Sequence, residues 1–212
     1  MLKLAVVGDL SQNDPSRLAQ ALDAALQAAD IVIQVGDINP GYDVVKQRLG
    51  TGKLFCVPGN HDILGPGNWD QSLPGLPKQW AKTIGPAHFI GLNNSCDTFD
   101  QEAWDLIAAA PEPPLHLFIF CHKPLSTIVF PDGSESQHIM GEGAVCPDAI
   151  RMRQWLYSHS ATLCHGHYHG WTLMKTNYGT VIVDGRGGAA AQIGYTLFNI
   201  QPEGWSAHSV TL

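Results

Sequence analysis

Short apolar runs, each halted by glycine or proline and then by polar side chains, recur along this chain. Met1 to Val7 is such a run and stops at Gly8-Asp9. Leu18, Leu22, Ala25, Leu26 and Ala29 then return at helical spacing and predict a helix over residues 16–29. Ile31-Val32-Ile33-Gln34-Val35 reads as a second strand, closed by Gly36-Asp37, and Tyr42 to Leu49 as a short helix. A third strand, Leu54-Phe55-Cys56-Val57, runs into Pro58-Gly59-Asn60-His61-Asp62. Strands apolar along their whole length are covered on both faces, so the alternation predicts parallel α/β structure with right-handed crossovers.

The pattern continues with a strand from His88 to Leu92 that runs into Asn93-Asn94-Ser95, and a helix from Ala103 to Ala109 stopped by Pro111. A strand from Leu115 to Cys121 ends at His122-Lys123-Pro124. A helix from Pro147 to Ser158 precedes the strand Ala161 to Cys164, which delivers His165-Gly166-His167-Tyr168-His169-Gly170. In residues 64–86, rich in Gly, Pro and Trp, the residues Trp69, Leu73, Leu76 and Trp80 read as cover for a sheet ahead of walls for a cleft. Residues 123–147 lack periodicity and read as a lid or rim beside a site. From Trp171 on, the segments Trp171 to Thr176, Thr180 to Asp184, Tyr195 to Ile200 and Trp205 to Leu212 suit an antiparallel meander. Without linker or repeat, residues 1–212 read as a single domain.

Composition narrows the class. At 44% hydrophobic and 15% charged residues the chain reads as a folded soluble protein, with no apolar run near the roughly 20 residues a membrane helix needs. The N-terminal run is too short and ends too polar for a signal peptide. A net charge of −7 with scattered Lys and Arg argues against a nucleic-acid partner. Cys56, Cys96, Cys121, Cys146 and Cys164 are odd in number and form no CxxC pair, as expected of reduced thiols in a cytoplasmic protein.

The strand ends together supply Asp9, Asp37, Asn60, His122, His167 and His169. Two carboxylates, an amide and three imidazoles suit a divalent cation such as Mn, Fe, Zn or Co. A shared carboxylate is the usual way to hold two cations about 3.5–4 Å apart, and Asp37, central in chain order, is the candidate bridge. Singly, each residue has an ordinary explanation: a helix cap for Asp9 or Asp37, a core histidine for His122, a surface turn for His165, His167 and His169. Their joint placement at strand ends is what points to a metal.

Gly8-Asp9, Gly36-Asp37, Gly59-Asn60-His61-Asp62, Cys121-His122 and Gly166-His167-Tyr168-His169 resemble, in order, the five motifs of the calcineurin-like metallophosphoesterases. The resemblance spans residues 6–170 and implies a four-layer α/β/β/α sandwich with mixed sheets and two divalent metal ions at the strand ends. It implies that Asp37 bridges both ions, that Asn60, His122 and His167 complete one site, and that Asp9 and His169 serve the other. His61 is then the acid or stabiliser at the leaving-group oxygen, oriented by a carboxylate such as Asp62.

Two positions depart from the family pattern. Ser11 stands where a histidine is common, and Pro40 where an Asp or Asn is common. The purple acid phosphatases, a related branch, place a tyrosine at the latter position, whereas here Tyr42 comes two residues later. The first site is thus short of a ligand, weakly filled or completed by water, Gln12, Asn39 or Tyr42. The activity implied is metal-dependent hydrolysis of a small phosphorylated substrate, a phosphomonoester or phosphodiester such as a nucleotide, by activated water. Lys123 and Arg186 are candidate phosphate contacts, with a solvated loop charge the preferred reading for Lys123. The alternatives are a protein phosphatase or nuclease of the same fold, or a non-catalytic metal-binding scaffold.

Overall fold

Strands β1 (Leu2–Val7), β2 (Ile31–Val35) and β3 (Leu54–Val57) pair in parallel, with Leu4 opposite Ile31 and Val32 opposite Leu54. Their continuous apolar runs split by alternation: Leu4, Val6, Ile31 and Ile33 face one side, and Ala5, Val7 and Val32 the other. The second side is covered by helices α1 (Pro15–Ala28) and α2 (Tyr42–Leu49). Asp14 caps α1 by accepting from the Ser16 N–H at 2.8 Å, and Pro15 supplies the first helical residue. The computed structural model describes residues 1–10, 14–63, 69–112, 115–127, 129, 133, 135, 139–141, 146–186 and 192–212.

After β3 come two single-turn helices, α3 (Asn60–Ile63) and α4 (Trp69–Ser72). A second sheet follows, built from β4 (Trp80–Ile84), β5 (Ala87–Gly91), β6 (His116–Cys121), β7 (Thr162–His165), β8 (Trp171–Thr176) and β9 (Gly179–Asp184) in the order β4-β5-β6-β7-β9-β8. Its outer face is covered by α5 (Gln101–Ala108) and α6 (Pro147–Ser158) through Trp104, Ile107, Met152 and Leu156. The two sheets meet through Phe118 and Phe120 of β6, which with Phe89 face the first sheet. Phe118 lies 5.7 Å, centroid to centroid, from each of Phe89, Phe198 and Trp205. The result is the expected four-layer α/β/β/α sandwich with two mixed sheets. No helix among the described residues is long and apolar enough to cross a membrane.

The C-terminal third departs from the expected meander. β8 and β9 form a hairpin within the second sheet, where β9 also pairs in parallel with β7. β10 (Gly194–Gln201) and β11 (Gly204–Thr211) form another hairpin, which extends the first sheet antiparallel to β1 with Leu4 opposite Phe198. Alternation along a strand says which side chains share a face, but it does not choose between two sheets with apolar faces and open edges. Trp69 and Leu73 are buried against α1 and α2, and Trp80 sits between the sheets, so these residues are structural cover as expected. Within 123–147, residues 128, 130–132, 134, 136–138 and 142–145 lie outside the described residues. Leu125, Met140 and Cys146 are core members, so this part of the expected lid is packed into the fold.

Because Phe118 joins both sheets at full burial, Phe118→Ala should destabilise the protein by about 3–5 kcal/mol. Urea unfolding followed by far-ultraviolet circular dichroism measures this. A loss below about 1 kcal/mol would mean that the inter-sheet layer closes around the gap.

Candidate metal centre

The C-terminal ends of β1, β2, β3, β6 and β7 converge at one edge, where the backbone leaves ordinary conformations. Asp9, Asp37 and His167 have φ of 53°, 55° and 66°, three of the five non-glycine residues with positive φ among those described. Such backbone persists only where the surroundings hold it, and it concentrates at functional sites. Gly36, at φ 94°, precedes Asp37, and a Cβ there would collide with the His122 ring.

His122 is the centre of the cluster. It is fully buried, and its Nδ1 donates to the Val35 carbonyl at 2.9 Å, which turns Nε2 inward. Nε2 lies 3.0 Å from Asn60 Oδ1, 3.3 Å from Asp37 Oδ1 and 3.0 Å from His167 Nδ1. Asp37, His122 and His167 each offer a ligand atom, all within 4.8 Å of one another. Asp9 Oδ1 is 3.5 Å from His122 Nδ1. Asp9 is fully buried, yet neither of its carboxylate oxygens makes a hydrogen bond of normal geometry among the described residues. An anion left so is costly unless a cation reaches it.

The titration behaviour follows. Burial lowers the His122 pKa, but the facing carboxylates of Asp37 and Asp9 outweigh it and raise the group to about 9. Burial works against ionisation of Asp37 too, yet His122 holds that carboxyl well below its usual range. Burial pushes Asp9 well above the usual range, with His122 opposing. Burial, then His122, depresses His167 to about 3, leaving it the neutral imidazole that ligates metals. The donor set and the orphaned Asp9 carboxylate therefore fit a divalent metal.

The other expected site residues fall in different places. His169 is exposed at the rim, its pKa lowered by partial burial, and it senses the charges of Asp37, His122 and His61. The ring of His61 is exposed, while its backbone N–H donates to Asp37 Oδ1 at 3.1 Å. Asp62 corrects the expectation that it orients His61. Its carboxylate is buried and accepts three backbone N–H groups: Gly59 at 2.8 Å, Asn39 at 2.8 Å and Ile38 at 3.2 Å. It thereby ties the β2–α2 turn to the β3–α3 turn.

Asn39 and Tyr42, the described candidates to complete the first site, are engaged at the same turn. Asn39 Nδ2 donates to the His61 carbonyl at 3.3 Å, and Tyr42 Oη donates to the Asp62 carbonyl at 3.4 Å. Ser11 and Gln12 lie outside the described residues. Lys123 is buried and pairs with Asp97 at 2.9 Å, which corrects the reading of a solvated loop charge. Arg186 is likewise committed, to Asp184 at 2.8 Å, so neither cation stands free for a phosphate. Asn94 escaped notice: its Oδ1 accepts from the backbone N–H of His122 at 3.1 Å and of Lys123 at 3.0 Å. Its signal was present, since Asn93-Asn94-Ser95 ends a strand as the ligand turns do.

A family model for calcineurin-like phosphoesterases matches residues 2–171. The chain belongs to that family. Its members are hydrolases of phosphoester bonds and generally bind divalent metals. No curated protein matches the sequence significantly. Among solved structures, the phosphoesterase chain resembles GAP50, described as the anchor in the inner membrane complex of Plasmodium (TM-score 0.66, 14% identity, 99% of this chain and 84% of that one). It also resembles a putative 5'-nucleotidase from Staphylococcus aureus (TM-score 0.58, 14% identity, 98% of this chain and 52% of that one). A third likeness is an archaeal phosphodiesterase (TM-score 0.53, 12% identity, 99% and 100%). At these identities the likenesses show a shared fold.

The Asp62 brace has a direct test. Asp62→Asn weakens acceptance from three N–H groups and should cost about 1–3 kcal/mol of stability in chelator-treated protein, measured by chemical denaturation. An unchanged midpoint would show that the two turns hold together without it.

Proposed function

We propose that this chain is a metal-dependent phosphoesterase that hydrolyses a small phosphorylated substrate, a mono- or diester. The observation that supports it most is the convergence of Asn60, Asp37 and His167 on the inward nitrogen of His122, beside a fully buried Asp9 carboxylate with no hydrogen bond of normal geometry among the described residues. Asp37, Asn60, His122 and His167 would hold one cation, and Asp9 and His169, with Asp37 shared, a second and weaker one. When bound, the cations neutralise phosphoryl charge and acidify water, which lets an acidic protein take an anionic ester.

The chain's own groups do the positioning. Val35 fixes the tautomer of His122, and Asn94 anchors its backbone. The backbone N–H of His61 holds Asp37 in place, and the exposed His61 ring would give a proton to the departing oxygen. The net charge of −7 favours a small substrate over nucleic acid, and five free cysteines favour a reducing, cytoplasmic setting.

Asp37→Ala or His167→Ala should lower hydrolysis of nitrophenyl phosphate mono- and diesters with added Mn²⁺ by more than the about 10–100-fold typical of losing a supporting contact. Metal content is read alongside the ester panel. Wild-type rates in these variants would overturn the ligand assignment. Near-stoichiometric metal with no turnover on any ester would instead favour the scaffold reading.

A further inference from the structure

Beyond the five motifs, the end of β9 closes the site from a direction the motifs do not predict. Asp184, its last residue, is fully buried, and Gly185-Arg186 then crosses the Gly8–Asp9 turn. The Arg186 N–H donates to the Gly8 carbonyl at 3.3 Å, and the Gly185 N–H to the Gly170 carbonyl at 3.1 Å. A Cβ on Gly185 would lie 2.6 Å from Asp9 Oδ2, and one on Gly166 2.9 Å from the same oxygen. The Asp9 carboxylate is thus gripped between two glycine backbones. Apart from the backbone N–H of His167, which favours its charged form, these walls are what confine the Asp9 oxygens.

Asp184 is not itself a spare ligand. Its Oδ1 accepts from Arg186 Nε at 2.8 Å, and its Oδ2 takes a short hydrogen bond from Thr196 Oγ1. Thr196 in turn accepts from Trp171 Nε1 at 2.8 Å, and Arg186 Nη2 donates to Ser209 Oγ at 2.8 Å. This chain of bonds runs from β8 and β9 in one sheet to β10 and β11 in the other. Buried ion pairs seldom stabilise a fold more than apolar packing does, and their best-attested use is to fix register.

We propose that Asp184 and Arg186 are positioning residues that clamp the end of β9 over the first-strand turn and hold Asp9 in its metal-binding orientation. The proposal rests on the reading that Asp9 serves a cation. Arg186 also neutralises a second buried carboxylate close to Asp9, which would otherwise repel it or compete for the ion. Asp9 is thereby left as the carboxyl that the incoming cation meets.

The test is Mn²⁺ titration of chelator-stripped protein by calorimetry, with Asp9→Ala identifying the equivalent that depends on Asp9. Arg186→Met should weaken that equivalent by about 10–100-fold and leave the other unchanged. Arg186→Lys should recover part of the loss. Thr196→Val, which keeps the ion pair and guards against a poorly folding Arg186 variant, should weaken the same equivalent by a smaller factor. Met152→Ala, on the buried face of α6 on the far side of the second sheet, should lower the melting temperature without touching either equivalent. Wild-type affinity in both Arg186→Met and Thr196→Val, or equal weakening of both equivalents, would overturn the clamp. A wild-type chain that binds no Mn²⁺ would overturn the metal-centre reading and the clamp with it. Normal wild-type binding that is indifferent to Arg186 would overturn the clamp alone.

Discussion

The His122 imidazole is the joint on which this structure turns. It comes from the second sheet, yet its Nδ1 is bonded to the Val35 carbonyl of the first. Its other nitrogen faces Asn60, Asp37 and His167, which arrive from three further strand ends. One ring thus fixes how the two sheets' edges meet and which atoms face the space between them. Gly36 exists in this arrangement because anything larger would push the ring away. The inter-sheet aromatic layer around Phe118 supplies the rigid base from which so exact an approach can be held.

Four buried aspartates among the described residues show how the fold gives one chemical group different surroundings. Asp62 is satisfied by three backbone N–H groups, and Asp184 by Arg186 and Thr196. Asp37 is held by His122 and by the His61 backbone. Asp9, equally buried, has no comparable partner of normal geometry among the described residues. The same carboxylate chemistry therefore plays two parts, decided by what each environment provides. Where donors surround the carboxylate it braces loops, and where they are few its burial is costly unless a cation is near.

Most of the candidate site was legible in the sequence because each residue follows an apolar strand directly. Asp9, Asp37, Asn60, His122 and His167 all do so, and a parallel sheet presents such ends at one edge. The roles of Asp62, Lys123 and Arg186 were not legible in the same way. Asp62 and Lys123 sit in or beside a motif and Arg186 in a glycine-rich turn, and those settings suggested contact with substrate or histidine. Whether such a charge faces the site or a neighbouring loop depends on partners far away in sequence: Asn39 for Asp62, Asp97 for Lys123, and Ser209 beyond Asp184 for Arg186.

The chain alone determined most of its strands and helices, though not α3, α4 or β4, together with the crossover order of its first half and the polar turn residues at its strand ends, because these follow from local periodicity and from where apolar runs must stop. Tertiary structure decided that the last two hairpins part company, one completing each sheet, since alternation is indifferent to which open edge a strand joins. It also decided which charges are spent on the fold and which gather at the strand ends. Hydrogen bonds between residues tens of positions apart settle that, and no local pattern encodes them.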